Sequence, residues 1–255
     1  RELKFNFSHI KINFINLDKE KDYVYIENES LLHNSVDFLN KKFIKDIKHN
    51  CSLLEIGCGS DSLILSSKNK FIKKKDGLDV HEYNFRGKKT LNNLIGSVDK
   101  LPLRSNQYDY CISNQSIEHW HEYGVTVDKG ISEITKVLKM NSGKLVINFP
   151  LFLHGKREFV NGNLKYIVSI ISRFLKISSI NIIYSQENNY YGWKLCNQPP
   201  SRVKRFIKSK GIVSLPNSIV CEIKAIKFAE PKSRIKKRNF SLKRIIYLYR
   251  DYTFY

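Results

Sequence analysis

Short apolar runs alternate with stretches of helical period along most of this chain. Leu31, Leu32, Val36, Leu39, Phe43, Ile44 and Ile47 recur three to four residues apart, which predicts an amphipathic helix over 30–48. Cys51–Ile56 is a short apolar run and reads as a buried strand. A helix is expected to begin over 61–67, capped by Ser60 or Asp61. Further strands are expected at 76–80, 94–98, 107–113 and 144–149, with helices over 86–93 and 125–138. Asn141-Ser142-Gly143 breaks the second of these helices, and Pro150 ends the strand that follows. Beyond it the pattern gives a helix over 164–175, a strand over 179–184, a helix over 202–209 after Pro199-Pro200, and a last strand over 219–228. Residues 1–28 show no clear period.

Strands that alternate with helices call for a mostly parallel sheet covered on both faces. The expected fold is α/β, Rossmann-like and doubly wound, with a seven-stranded sheet. The expected organisation is an N-terminal helical cap at 1–49, a main domain at 50–230 with an acceptor-side insertion at about 150–215, and a basic, aromatic segment at 231–255.

Composition narrows the class. Of the 255 residues, 42% are hydrophobic and 27% charged, as in a globular chain. No apolar run reaches the ~18–20 residues that span a bilayer. The N-terminus also lacks the pattern of a signal peptide, so the expected compartment is the cytoplasm. Cys51, Cys58, Cys111, Cys196 and Cys221 are scattered, odd in number and without a C-x-x-C pair, so they read as reduced and packed, with no metal site. The net charge of +20 favours anionic partners. It is equally the charge of a solvated surface in a Lys-rich, Ile-rich and Asn-rich chain.

The densest chemistry lies in Glu55-Ile56-Gly57-Cys58-Gly59, where the first strand turns into a helix. Gly57 and Gly59 let the backbone turn sharply and approach a ligand. Asp79 falls at the end of the next strand, 20 residues after Gly59, where a carboxylate can accept both hydroxyls of a ribose. Two features argue against a dinucleotide: Ser62 stands in place of a third Gly, and Glu55 would repel a pyrophosphate at the turn. An acid there suits a cationic ligand.

These residues resemble the class I S-adenosylmethionine (SAM)-dependent methyltransferase family, in its small-molecule and sugar branch. Gly96-Ser97-Val98-Asp99-Lys100-Leu101-Pro102-Leu103 resembles the adenine-side loop of that family, and Tyr108–Asn114 its fourth strand. Ser116-Ile117-Glu118-His119-Trp120 resembles the segment after that strand, and 131–147 the helix, Gly turn and fifth strand that follow. Ser97 departs from the pattern, since many members carry Asp there. The resemblance implies SAM as cofactor and S-adenosylhomocysteine as product. It implies that Glu55, Gly57, Cys58 and Gly59 line the methionine end, that Asp79 and Val80 bind the ribose side, and that Val98 and Asp99 flank the adenine. Asn114 and Gln115 would lie near the sulfonium and the acceptor.

O-methylation needs a base for the acceptor proton, and His is the natural choice. His154 and His119 are the expected candidates, since both follow strands at the edge where ligands bind; His81 is placed to touch the adenosine. Lys156 and Arg157 beside His154 suit a phosphate or carboxylate on the acceptor. After the fourth strand the chain reads Ser113-Asn114-Gln115-Ser116, without the Pro-Pro-aromatic platform of base-amine methyltransferases, and Cys111 lies inside a strand. The expected acceptor is therefore the hydroxyl of a small molecule or of an anionic sugar or glycan precursor, as in capsule and surface-polysaccharide tailoring. The alternatives are an RNA methyltransferase and a SAM-fold binding protein without turnover. Residues 232–250 interleave Lys and Arg with apolar residues, which suits peripheral contact with a membrane.

Overall fold

The computed structural model describes residues 10–24, 31–82, 92–150, 164–184 and 220–228. Its strands are β1 (Lys11–Asn16), β2 (Cys51–Ile56), β3 (Ile72–Asp79), β4 (Asn92–Ile95), β5 (Tyr110–Asn114), β6 (Lys144–Pro150), β7 (Lys176–Tyr184) and β8 (Val220–Ile226). They form one 8-stranded sheet in the order β1-β7-β8-β6-β5-β2-β3-β4. β8 is antiparallel to both neighbours, and every other pair is parallel. The fold is thus Rossmann-like α/β with a mostly parallel sheet. It has one more strand than the apolar pattern predicts.

The additional strand is β1, inside the segment expected to be a helical cap. Its residues pair with β7 from Lys11↔Ser179 to Asn16↔Tyr184. As an edge strand it is only half buried, so its alternation of Ile12 and Phe14 with Asn13 is weak in the sequence.

Helices cover both faces. α1 (Leu31–Asp46) and α2 (Leu63–Ser66) lie on one face, where Phe43, Ile47, Ile64 and Leu65 pack on Leu53, Ile112 and Val146. α3 (Val127–Val137) and α4 (Leu164–Phe174) cover the other, with Ile131, Ile134, Ile167 and Ile171 against Leu54, Ile56, Leu145 and Ile147. Strand periodicity accounts for the division: Leu53 and Leu54 are adjacent in β2 and point to opposite faces. In α3, Thr126 caps the N-terminus by accepting from the Lys129 N–H, and apolar residues at helical spacing face the sheet.

Several boundaries differ from the sequence expectation. The cap of α2 is Ser62, not Ser60 or Asp61, and the helix is a single turn. The strand expected at 107–113 begins at Tyr110, because the N–H groups of Gln107 and Tyr108 bond the Val137 carbonyl at the end of α3. The strand expected at 94–98 ends at Ile95, and a turn closes from the Lys100 N–H to the Ser97 carbonyl. The helix expected at 86–93 cannot reach its predicted end, because Asn92 and Asn93 pair with Asp76 and Gly77 as the start of β4. The rest of that helix, the helix at 202–209, most of the 150–215 insertion and the segment 231–255 lie outside the described residues. Among the described residues no helix is long and apolar enough to cross a membrane.

Candidate active site

The sheet has a topological switch point between β2 and β5. The chain leaves β2 toward β3 and β4 on one side, then returns to lay β5 and β6 on the other. Open α/β sheets bind their ligands at the carboxyl ends of the strands at such a point. A cleft opens there, lined by Gly57 after β2, Asp79, Val80 and His81 after β3, Val98 after β4, and Gln115 and His119 after β5.

The glycine turn is built for close approach. Gly57 has φ +65° and Gly59 φ +59°, the left-handed region that favours glycine. A Cβ on Gly57 would stand 2.4 Å from Ser116 Oγ, so no side chain fits there. The Leu78 carbonyl receives the N–H groups of both Gly57 and Cys58, at 2.8 and 3.2 Å. Asp79 closes the turn from the other side: its Oδ2 accepts from the Gly59 N–H at 2.9 Å and its Oδ1 from the His81 N–H at 3.0 Å. Each carboxylate oxygen keeps a second lone pair for a ligand hydroxyl.

Glu55 is buried beneath the turn. Ser62 Oγ donates to its Oε2, and Asn114 Nδ2 donates to its Oε1 at 2.9 Å. From Glu55 an amide chain crosses three strand ends. Asn148 Nδ2 donates to Asn114 Oδ1 at 2.5 Å, and Gln115 Nε2 donates to Asn148 Oδ1 at 2.9 Å. Asn114 turns its NH₂ toward Glu55, whose Oε1 accepts. That choice fixes Asn148 and then Gln115 in sequence. The chain ends at Gln115 Oε1, which is buried and has no hydrogen-bond partner. Gln115 also holds φ at 47°, rare for a residue with a side chain and typical of functional sites.

Other expected residues have different tasks. The Cys58 side chain packs in the core with Ile64 and Leu65, so only its backbone belongs to the turn. Asp99 accepts from Ser97 Oγ at 2.6 Å and from Lys129 Nζ at 3.0 Å, and these partners hold its carboxyl below the usual range. That leaves Val98 and Ser97, not the Asp99 carboxylate, lining the cleft. His119 lines the cleft, with its Nδ1 3.1 Å from Glu122 Oε1. His154 lies outside the described residues, as do Lys156 and Arg157. Cys111 is fully buried and burial raises its thiol pKa, which leaves it unsuited to act as a nucleophile.

Three features of the site leave no clear mark in the sequence. Asn148 reads as one polar residue in an apolar strand, and only the register Asn114↔Asn148 shows its place in the amide chain. Tyr123 Oη meets His81 Nε2 at 2.8 Å across the mouth of the cleft. Gly130 lets α3 pass the Trp120 ring, which a Cβ there would meet at 2.4 Å.

Residues 54–147 match the family described as methyltransferase domain. Solved structures share the fold at low identity. YcgJ from Bacillus subtilis is 15% identical, with a TM-score of 0.50 over 77% of this chain and 99% of that one. PH0226 from Pyrococcus horikoshii is 12% identical, with a TM-score of 0.52 over 82% and 97%. An S-adenosylmethionine-dependent methyltransferase from Mesorhizobium loti is 12% identical, with a TM-score of 0.51 over 76% and 99%. No protein of curated function matches the chain in sequence. The switch-point cleft and the glycine turn define a nucleotide-type ligand site on an α/β sheet. With the domain match, residues 54–147 are a methyltransferase domain on the fold of the class I SAM-dependent methyltransferases, whose cofactor is SAM.

The site fits that cofactor. The cradle at Gly57 has no room for a side chain, Asp79 is placed for a diol, and Gln115 Oε1 is an acceptor without a donor. SAM, when bound, supplies an electrophilic methyl group on a sulfonium.

Proposed function

We propose that the protein methylates a hydroxyl group of a small polar acceptor, a sugar or phosphorylated glycan precursor of the kind tailored in bacterial surface-polysaccharide or capsule synthesis. The observation that carries the reading is the directed amide chain from Glu55 to Gln115. It leaves Gln115, a residue that lines the cleft, with an uncharged amide oxygen that has no donor, which matches an O–H donor. A hydroxyl bound there must lose its proton as its oxygen takes the methyl group. His119 is the base within the described cleft. Glu122 beside Nδ1 favours the tautomer with its proton on that nitrogen, so Nε2 takes the acceptor proton. The roles proposed for the cofactor side are Gly57 and Gly59 at the methionine end, Asp79 at the ribose and Val98 at the adenine.

RNA methylation is the second reading, favoured by the +20 charge. Radiolabelled SAM offered with a nucleotide-sugar pool and, separately, with bulk RNA distinguishes the two. Label is expected in the sugar pool. His119→Gln should lower that turnover by roughly 100-fold or more while S-adenosylhomocysteine affinity stays within about twofold. Label in RNA alone would refute the hydroxyl-sugar reading, and unchanged turnover in the variant would remove His119 as the base.

A further inference from the structure

Because β1 to β7 all run in one direction, their amino ends share one edge of the sheet, opposite the cofactor cleft. Lysines gather at that edge. Lys11 opens β1, Lys144 opens β6 and Lys176 opens β7, while Lys48 stands three residues before β2 and Lys70 two residues before β3. All of these are exposed. At about 4.8 Å per strand they form a row some 30 Å long. The acids nearby are mostly occupied: Asp76 pairs with Lys74, Asp109 with Lys139 and Glu133 with Lys136; Asp46 is exposed. The opposite edge is different in kind, with Asp61, Asp79, Glu82 and Glu122 near the cleft and Asp99 paired with Lys129.

Two exposed apolar side chains stand within the lysine row. Met140 is 46% exposed and Phe228 43%, on either side of the turn where the Lys227 N–H bonds the Gly143 carbonyl. The chain leaves the described fold at this place. Its sequence then runs through Lys232, Arg234, Lys236, Lys237 and Arg238, starting four residues after Phe228.

We propose that the amino edge of the sheet is a docking surface for an anionic lipid bilayer. Lysine is a compact point charge that suits diffuse attraction to headgroups, and Met140 and Phe228 are placed to enter the interface between them. Nucleic acid is the less fitting partner. The row has no arginine fork for phosphate, and Phe228 is its only exposed aromatic ring among the described residues. Docked this way, the protein holds its cofactor cleft away from the lipid by the length of the strands, about 20 Å. The acceptor then enters from the aqueous side.

The test is co-sedimentation of the full chain with vesicles of equimolar phosphatidylglycerol and phosphatidylcholine, against vesicles of phosphatidylcholine alone. Binding is expected only to the anionic vesicles and should weaken with salt. The combined variant Lys70→Glu, Lys144→Glu, Lys176→Glu should bind at least tenfold less. Its S-adenosylhomocysteine affinity should stay within about twofold of the unaltered chain, since the cleft is at the far edge. If that affinity is lost, the combined Lys→Gln variant at the same positions replaces it, with reduced binding again expected. Equal binding to both vesicle types, or undiminished binding by the variants, would overturn the proposal. So would binding of bulk RNA, lost in the variants, by a protein that ignores vesicles.

Discussion

Glu118 shows how a single residue records its surroundings. It lies in the 3-10 helix Ile117–Tyr123, is 2% exposed, and its Oε2 has no hydrogen-bond partner. Burial pushes its carboxyl pKa up to about 8, and Glu122 adds to the shift. The folded protein therefore holds this proton over a pH range in which the unfolded chain releases it. Stability contributed by the protonated form is full below the ordinary glutamate pKa and is lost as pH rises toward 8. Glu118→Gln keeps the shape and removes the titration. The variant should match the unaltered protein in Tm near pH 5 and exceed it by several degrees near pH 8. Equal Tm differences at both pH values would show that Glu118 is not protonated in the fold. The neighbouring sequence, Ser116-Ile117-Glu118-His119-Trp120, announces a special segment but gives no sign of which of its polar residues is buried.

Elements were legible where burial is two-sided or periodic. β2, β6 and β8 are apolar runs because helices cover both of their faces, and α3 repeats its apolar residues at helical spacing. β1 was not legible, because an edge strand needs few apolar residues. The glycine turn and Asp79 could be placed from spacing alone, since both lie at strand ends. The amide chain could not, because it joins residues 55, 114, 115 and 148 through strand register. A second long-range tie has the same character. Lys227, just past β8, is buried and donates to the Leu138 carbonyl at 2.8 Å and to Asn106 Oδ1 at 3.1 Å, at the end of α3. It satisfies a helix-end carbonyl that would otherwise be unpaired. Lys227→Met should cost about 1–3 kcal/mol in urea unfolding and leave cofactor affinity unchanged. A variant as stable as the parent would make that tie dispensable.

At the scale of the whole molecule, one sheet has two unlike edges. Its carboxyl edge gathers the glycine turn, Asp79 and the amide chain around a cleft. Its amino edge carries the lysine row. Parallel strands produce this division without further design, because each βα unit delivers its turn residues to the same side. The fold is shared by structures only 12–15% identical to this chain, so what distinguishes the protein lies in its side chains rather than in the fold. Titration calorimetry with S-adenosylhomocysteine tests the cleft between Gly57 and Asp79 as the cofactor site. The unaltered protein should bind one equivalent, and Asp79→Asn should bind at least about tenfold more weakly, the loss of a charge-assisted pair of hydrogen bonds. No heat of binding from folded protein, or equal affinity in the variant, would contradict it.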